Sequence, residues 1–238
     1  MMTEKRAFNP LKYGIALAIS PLSLVLTQVL PQKLGIPITT DEGFSTWQNA
    51  AIGIMIALGM LFICLWLAKD KLKADWPGWK AHGVRNVLIA AGCAALMFIA
   101  LSPIAKFVSG LLAPAASMLI SVPLGFANIA MGLASLTAPF SEEIIFRHCL
   151  TAPFSGRKWT YAVAILLSSA AFALMHIYNV SGNFRALTMY FLLALFLHMI
   201  YLIAHRNIWQ NIMTHLFYNG YIVLMSLVGL VAAMFIEV

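Results

Sequence analysis

The chain predicts an all-α fold, a polytopic transmembrane helix bundle of seven to eight membrane segments. Three observations predict it. Of 238 residues, 62% are hydrophobic and only 10% are charged, whereas a water-facing surface needs about a quarter of its residues charged. Apolar runs recur at close to the ~20 residues that a helix needs to cross a hydrocarbon core about 30 Å thick. Basic residues concentrate in alternate connections, the pattern that orients membrane proteins.

The runs fall in order at about Tyr13 to Leu30, Trp47 to Ala68, Asn86 to Ala105, Leu111 to Ala138, Trp159 to Ile177, Arg185 to Ala204, and from Ile208 onward. The first is read as a retained span, because no clean small-residue cleavage site follows it and many more spans do. The last stretch, Asn207 to Val238, is about 45 Å long if wholly helical. It is either one tilted helix or two segments broken near Gly220. No repeat, low-complexity tract or long linker divides the chain, so residues 1–238 are read as one integral membrane domain.

Lys5, Arg6 and Lys12 precede the first span, and Lys69, Lys71, Lys73, Lys80 and Arg85 crowd the second connection, with Arg157, Lys158 and Arg206 in later alternate connections. The opposite side has Lys33, Lys106 and Arg185. The positive-inside rule then makes the N-terminus cytoplasmic, and the expected location is the plasma membrane. The net charge of +7 is accounted for by topology and anionic lipid headgroups, with no nucleic acid partner. Trp76 and Trp79, beside Pro77 and Gly78, mark the second connection as interfacial. Cys64, Cys93 and Cys149 lie far apart without C-x-x-C spacing and read as free thiols among helices. The sequon Asn179-Val180-Ser181 carries no weight in this setting.

Against this apolar background stands Ser141-Glu142-Glu143-Ile144-Ile145-Phe146-Arg147. A charge near the bilayer centre costs about 2.5–3.5 kcal/mol on insertion scales, so such residues face a bundle interior or a wet cavity and mark a site. Pro139 is expected to end the preceding helix, Ser141 to cap the next, and the two glutamates to occupy its first turn, where the dipole favours them. Glu143 and Arg147 are spaced i,i+4 in the favourable order for an ion pair. Glu142 and Glu143 point about 100° apart, so one is held by Arg147 and the other is free for chemistry.

Two more clusters follow. Phe172 and His176 are spaced i,i+4 at the end of the fifth span, and His215 and Asn219 share that spacing on the last segment. Three helices thus each offer polar groups at one-turn spacing. Carboxylate, two imidazoles and a carboxamide can activate water and stabilise an oxyanion, which is the inventory of a hydrolase. Hydrogen bonding between membrane helices explains one such residue, at about 0.6–2 kcal/mol, but not six costly groups together. Ser168 and Ser169 lack the G-x-S-x-G context of a nucleophile. His198, without a polar partner at i±4, reads as a helix-packing hydrogen bonder, and His205 and Arg206 as interface residues.

E-E-x-x-x-R, then F-x-x-x-H, then H-x-x-x-N, here Glu142-Glu143 to Arg147, Phe172 to His176 and His215 to Asn219, resembles the type II CAAX prenyl endopeptidase and bacteriocin-processing family of intramembrane proteases, the CPBP or Abi family. Order and spacing fit, as do Ala138-Pro139 before the glutamates and Asn207 and Trp209 upstream of His215. The resemblance covers roughly Leu111 to Tyr221 (111–221). The departure is His148, where many members carry glycine. The resemblance implies an endopeptidase acting on membrane-associated peptide or protein substrates, prenylated CAAX-type or leader-like. It implies Glu142 as general base for a water, His176 positioning that water, His215 and Asn219 as oxyanion donors, and Arg147 holding Glu143.

The family is usually classed among metallopeptidases, and Glu142, His176 and His215 also make up a two-histidine, one-carboxylate zinc set. No cofactor is assigned on the sequence alone. Metal-free water activation is the reading preferred here, with zinc as the other branch. The rival from another class is a proton-coupled transporter, in which the same residues form a relay. It calls for repeats and broken helices in both halves, whereas the intramembrane charges here all lie in one half. A non-catalytic immunity or scaffold protein on the same fold is the third reading.

Overall fold

The computed structural model of the protein describes residues 10–37, 46–112, 126–180 and 182–236. Lys5, Arg6, the middle of the fourth apolar run (113–125) and Ser181 of the sequon lie outside the described residues. Within them the chain is helical throughout, with no strand. We number the helices α1 (Pro10–Lys33), α2 (Trp47–Lys80), α3 (Gly83–Leu112), α4 (126–149), α5 (Lys158–Met175), α6 (Leu187–Ile203) and α7 (Ile208–Ile236).

Among the described residues five helical segments are long and apolar enough to cross a membrane: Pro10–Lys33, Trp47–Lys80, Gly83–Leu101, Ile129–Phe154 and Lys158–Met175. Burial has the polarity of a membrane protein. Phe62, Phe107, Trp159, Leu167 and Phe184 are exposed on the outside, while Glu143, Arg147, Asn211, Thr214 and His215 are buried within. In lipid the outward apolar surface costs nothing, and the interior is where polar groups find partners.

Three boundaries differ from the expectations. α2 does not end near Ala68 but runs as 34 residues to Lys80, so the second connection is mostly helix and only a tight turn joins it to α3. Its charges are tied down locally, with Lys71 Nζ 2.7 Å from Asp75 Oδ2. Leu111 and Leu112 close α3 rather than open a new span. The last segment is one uninterrupted helix of 29 residues. Gly220 does not break it, because a mid-helix glycine costs about 1 kcal/mol and freeing backbone groups in lipid costs several.

α1 carries Pro21 and loosens into a π turn at Val25–Val29. Ser23 donates to the Ser20 carbonyl at 2.7 Å and Thr27 to the Ser23 carbonyl at 2.8 Å, so hydroxyls cover backbone oxygens in that stretch. Between α6 and α7 the chain turns through His205 (φ 52°) and Arg206 (φ 63°). Left-handed backbone costs a residue with a Cβ about 1–2 kcal/mol. The turn is held by Arg206 N donating to the Tyr201 carbonyl at 2.7 Å and by the Arg206 guanidinium lying over the Tyr161 ring at 4.8 Å.

α7 packs on α2, α3, α4 and α6, and α5 pairs with α6. The apolar core on which the site rests is shared among them, with Ile144 and Ile145 of α4, Phe172 of α5, Leu197 of α6, and Ile208 and Ile212 of α7 all fully buried.

Candidate active site

The carboxylates sit on α4, which changes pitch three times: α-helix at Phe126–Ala134, a 3-10 turn at Ser135–Thr137, α-helix at Ala138–Glu142 and a π-helix at Glu143–Cys149. The expected stop at Pro139 does not occur. Proline lacks the N–H that would bond the Ser135 carbonyl, and that carbonyl instead accepts from Ala138 N and from Asn219 Nδ2, the latter at 3.1 Å. The helix therefore continues through the proline. Ser141 is not a cap; its hydroxyl donates to the Ala138 carbonyl at 3.0 Å.

The π-helix begins at Glu143, and such widened turns recur at functional sites. Its backbone is held from the side. The Phe146 carbonyl accepts from Ser168 Oγ at 2.7 Å and the Arg147 carbonyl from Thr151 Oγ1 at 2.6 Å. Ser168 is thus a structural hydrogen bonder. Ser169 lies 3.3 Å from His198 Nδ1, whose other contact is the Ala194 carbonyl at 3.0 Å.

Glu143 is the hub of the buried cluster. Oε2 lies 3.1 Å from Arg147 Nε and accepts from Asn211 Nδ2 at 2.8 Å, and Oε1 lies 2.8 Å from His215 Nδ1. Both Glu143 and Arg147 are completely buried. The guanidinium also lies over the Phe172 ring at 4.9 Å and donates from Nη2 toward the Ala194 carbonyl at 3.4 Å. A carboxylate paired with a guanidinium is acceptor-only, so His215 carries its proton on Nδ1 and turns Nε2 outward.

Outward means toward Glu142. His215 Nε2 is 3.7 Å from Glu142 Oε2, and His176 Nε2 is 4.0 Å from Glu142 Oε1. His176 follows the last residue of α5, where the helix ends in a turn, and its Nδ1 lies 2.8 Å from the Phe172 carbonyl. A carbonyl only accepts, so this imidazole too is protonated on Nδ1 and offers a lone pair at Nε2. The His176 ring is sandwiched between Phe172, 4.7 Å between centroids, and Tyr190, 4.2 Å and nearly parallel. Glu142 is the more open carboxylate, with its side chain 20% exposed against 0% for Glu143.

Glu142, Glu143, Arg147, His176 and His215 are therefore gathered around one point. Helical rise puts His215 and His176 at different depths, yet both lie against the same carboxylate. Asn219 is not part of this gathering; its amide is engaged on Ser135. Two contributors were missed in the sequence. Asn211 holds Glu143 and, at 2.8 Å, the Leu197 carbonyl. Its signal was present, since Asn211, His215 and Asn219 recur at four-residue spacing along one stripe. Tyr190, an aromatic in an apolar span, gave no signal.

Residues 123–221 match the family model described as "Type II CAAX prenyl endopeptidase Rce1-like". That segment is similar to the Rce1-like family. No curated protein and no solved structure matches the chain. The Rce1-like segment contains all six residues singled out from the motifs, together with Asn211 and Tyr190.

The donors of the Rce1-like segment bear on a zinc site. Their chemistry suits a metal: two lone-pair Nε2 atoms with Nδ1 protons held by a carbonyl and a carboxylate are how metal-binding histidines are oriented. Glu142, His176 and His215 would hold it, the two Nε2 atoms standing 4.0 and 3.7 Å from the Glu142 carboxylate, and it would supply activation of a bound water there.

Proposed function

We propose that the chain is an intramembrane endopeptidase that cleaves peptide bonds of membrane-associated substrates, prenylated CAAX-type or leader-like, by a glutamate-activated water. The observation that carries this reading is the 4.0 Å separation of Glu142 Oε1 and His176 Nε2. It is too long for a direct hydrogen bond and suits one water about 2.8 Å from both. Such a water donates its two protons to two acceptors, a carboxylate oxygen and an imidazole lone pair. Its own lone pairs are left facing the substrate carbonyl. Glu142 takes the proton as the bond to the carbonyl carbon forms, and passes it to the leaving amine as the tetrahedral intermediate collapses.

His215 is the oxyanion partner in this scheme. Once its Nε2 carries a proton, that N–H donates to the oxyanion while Nδ1–H stays on Glu143. Glu143, fixed by Arg147 and Asn211, orients that ring. Asn219 supports the turn that starts the Glu142 helix, and it reaches an oxyanion only by leaving Ser135. Positive charge in the connections supports a cytoplasmic N-terminus.

The test is purified protein in lipid nanodiscs with a fluorescence-quenched peptide ending in a farnesylated cysteine and three further residues. Comparison of membrane peptides by mass spectrometry from cells carrying wild type or Glu142→Ala extends it to unknown substrates. Cleavage that needs Glu142 supports the reading, and cleavage that survives Glu142→Ala overturns it.

A further inference from the structure

The polar residues at the end of α2 are not explained by the site, although they hold the helix that carries half of it. Asp75 accepts from Ile208 N, the first amide of α7, at 2.8 Å through Oδ2. Its other oxygen, Oδ1, takes Lys71 Nζ at 2.8 Å, and the same ammonium donates to the Arg206 carbonyl at 2.8 Å. The Asp75 carbonyl accepts from Asn207 Nδ2 at 3.1 Å, and Asn207 Oδ1 itself caps Trp209 N at 3.0 Å. Trp209 Nε1 donates to the Leu72 carbonyl at 2.9 Å. Every residue from Arg206 to Trp209 is thus bonded by a side chain or tied to one turn of α2.

Two features make this more than a cap. The carboxylate that satisfies the α7 N-terminus comes from another helix 133 residues away in sequence, so it fixes where α7 starts and not merely that it starts. The anchored turn contains the two left-handed residues His205 and Arg206, a conformation that relaxes unless its surroundings hold it. From Ile208 the rise to Asn211 and His215 is about 5 and 10 Å, within one rigid stretch of helix. Trp209 also packs edge-on against Phe140, centroids 6.4 Å apart, two residues before Glu142. One anchor therefore meets both halves of the site.

We propose that Asp75, assisted by Lys71, is a positioning residue: it sets the axial place of α7, and so the approach of Asn211 and His215 to the two glutamates. This rests on the protease reading for its catalytic consequence, though not for its geometric one. A slip of about 1 Å at a reacting group costs up to about 100-fold in rate, so loss of the anchor acts on turnover far from the chemistry.

The experiment compares wild type, Asp75→Ala, Asp75→Asn and Lys71→Met in nanodiscs, with Glu142→Ala as the control for the protease reading. Two quantities are read on the folded fraction: kcat and KM on the farnesylated peptide, and the His215 Nδ1–H signal in spectra of nitrogen-labelled histidine. Asp75→Ala is expected to lower kcat about 10- to 100-fold with KM changed less than about twofold and with the His215–Glu143 signal shifted. Asp75→Asn, which keeps an acceptor for Ile208 N, restores most of both. Should Asp75→Ala fail to fold, Lys71→Met carries the test, with a smaller shift of the same signal expected. An unshifted His215 signal, or an Asp75→Asn no better than alanine, overturns the proposal. Cleavage surviving Glu142→Ala instead overturns the protease reading, and the spectra still decide the anchor.

Discussion

His215 donates from Nδ1 to Glu143 at 2.8 Å, and this bond decides which nitrogen faces the reaction. It makes Glu143 the orienter and leaves Glu142 as the group that meets both Nε2 atoms. The adjacent glutamates are separated in role by the face each occupies and by the two hydrogen bonds and the Arg147 ion pair that only Glu143 receives.

Removing Glu143 should therefore destabilise the fold, and cleavage should be lost with it. Glu143→Ala strands Arg147, fully buried, without its counter-charge, and breaking a buried ion pair costs about 3–5 kcal/mol. Thermal unfolding in detergent should show the loss, together with complete loss of cleavage.

Glu142→Ala should leave the fold in place. The side chain is partly open and anchors no buried cation, so unfolding should change by less than about 1 kcal/mol while turnover falls at least ~100-fold. Initial rates and unfolding curves on the same preparation make the comparison.

Asn219→Ala removes the side-chain donor on the Ser135 carbonyl. The expected cost is about 1 kcal/mol of stability, with cleavage slowed less than tenfold. A loss near 100-fold at unchanged stability would show instead that the amide leaves Ser135 and serves the oxyanion, an effect of the size such donors have.

Prolonged treatment with a strong chelator separates the two branches for water activation. Activity is expected to persist, and metal analysis to find well under one zinc per chain. Stoichiometric zinc, lost together with activity in His176→Ala, would make the histidines ligands, because structural binding of that strength does not survive loss of a donor.

Much of this protein is written locally. Apolar runs of bilayer length declare the membrane helices without knowledge of their neighbours, and four-residue spacing puts Glu143 with Arg147, and His215 with Asn219, on common faces. What spacing does not carry is which face meets which helix. Asn219 shares a stripe with His215 yet turns to Ser135, because Pro139 leaves that carbonyl short of a donor, a debt contracted on another helix. The continuation of α4 through Pro139, the π turn that follows and the Nδ1 tautomer of His215 depend on groups brought across from other helices, Asn219 of α7, Ser168 of α5 and Glu143 of α4. Asp75 reads in sequence as one more charge in a polar connection, and only the packing of α2 on α7 makes it the partner of Ile208 N. Periodicity is a property of one helix, so the sequence by itself determined the membrane helices and the residue types of the site. Satisfying buried polar groups is a property of all the helices together, so the roles within the site were decided by the tertiary structure.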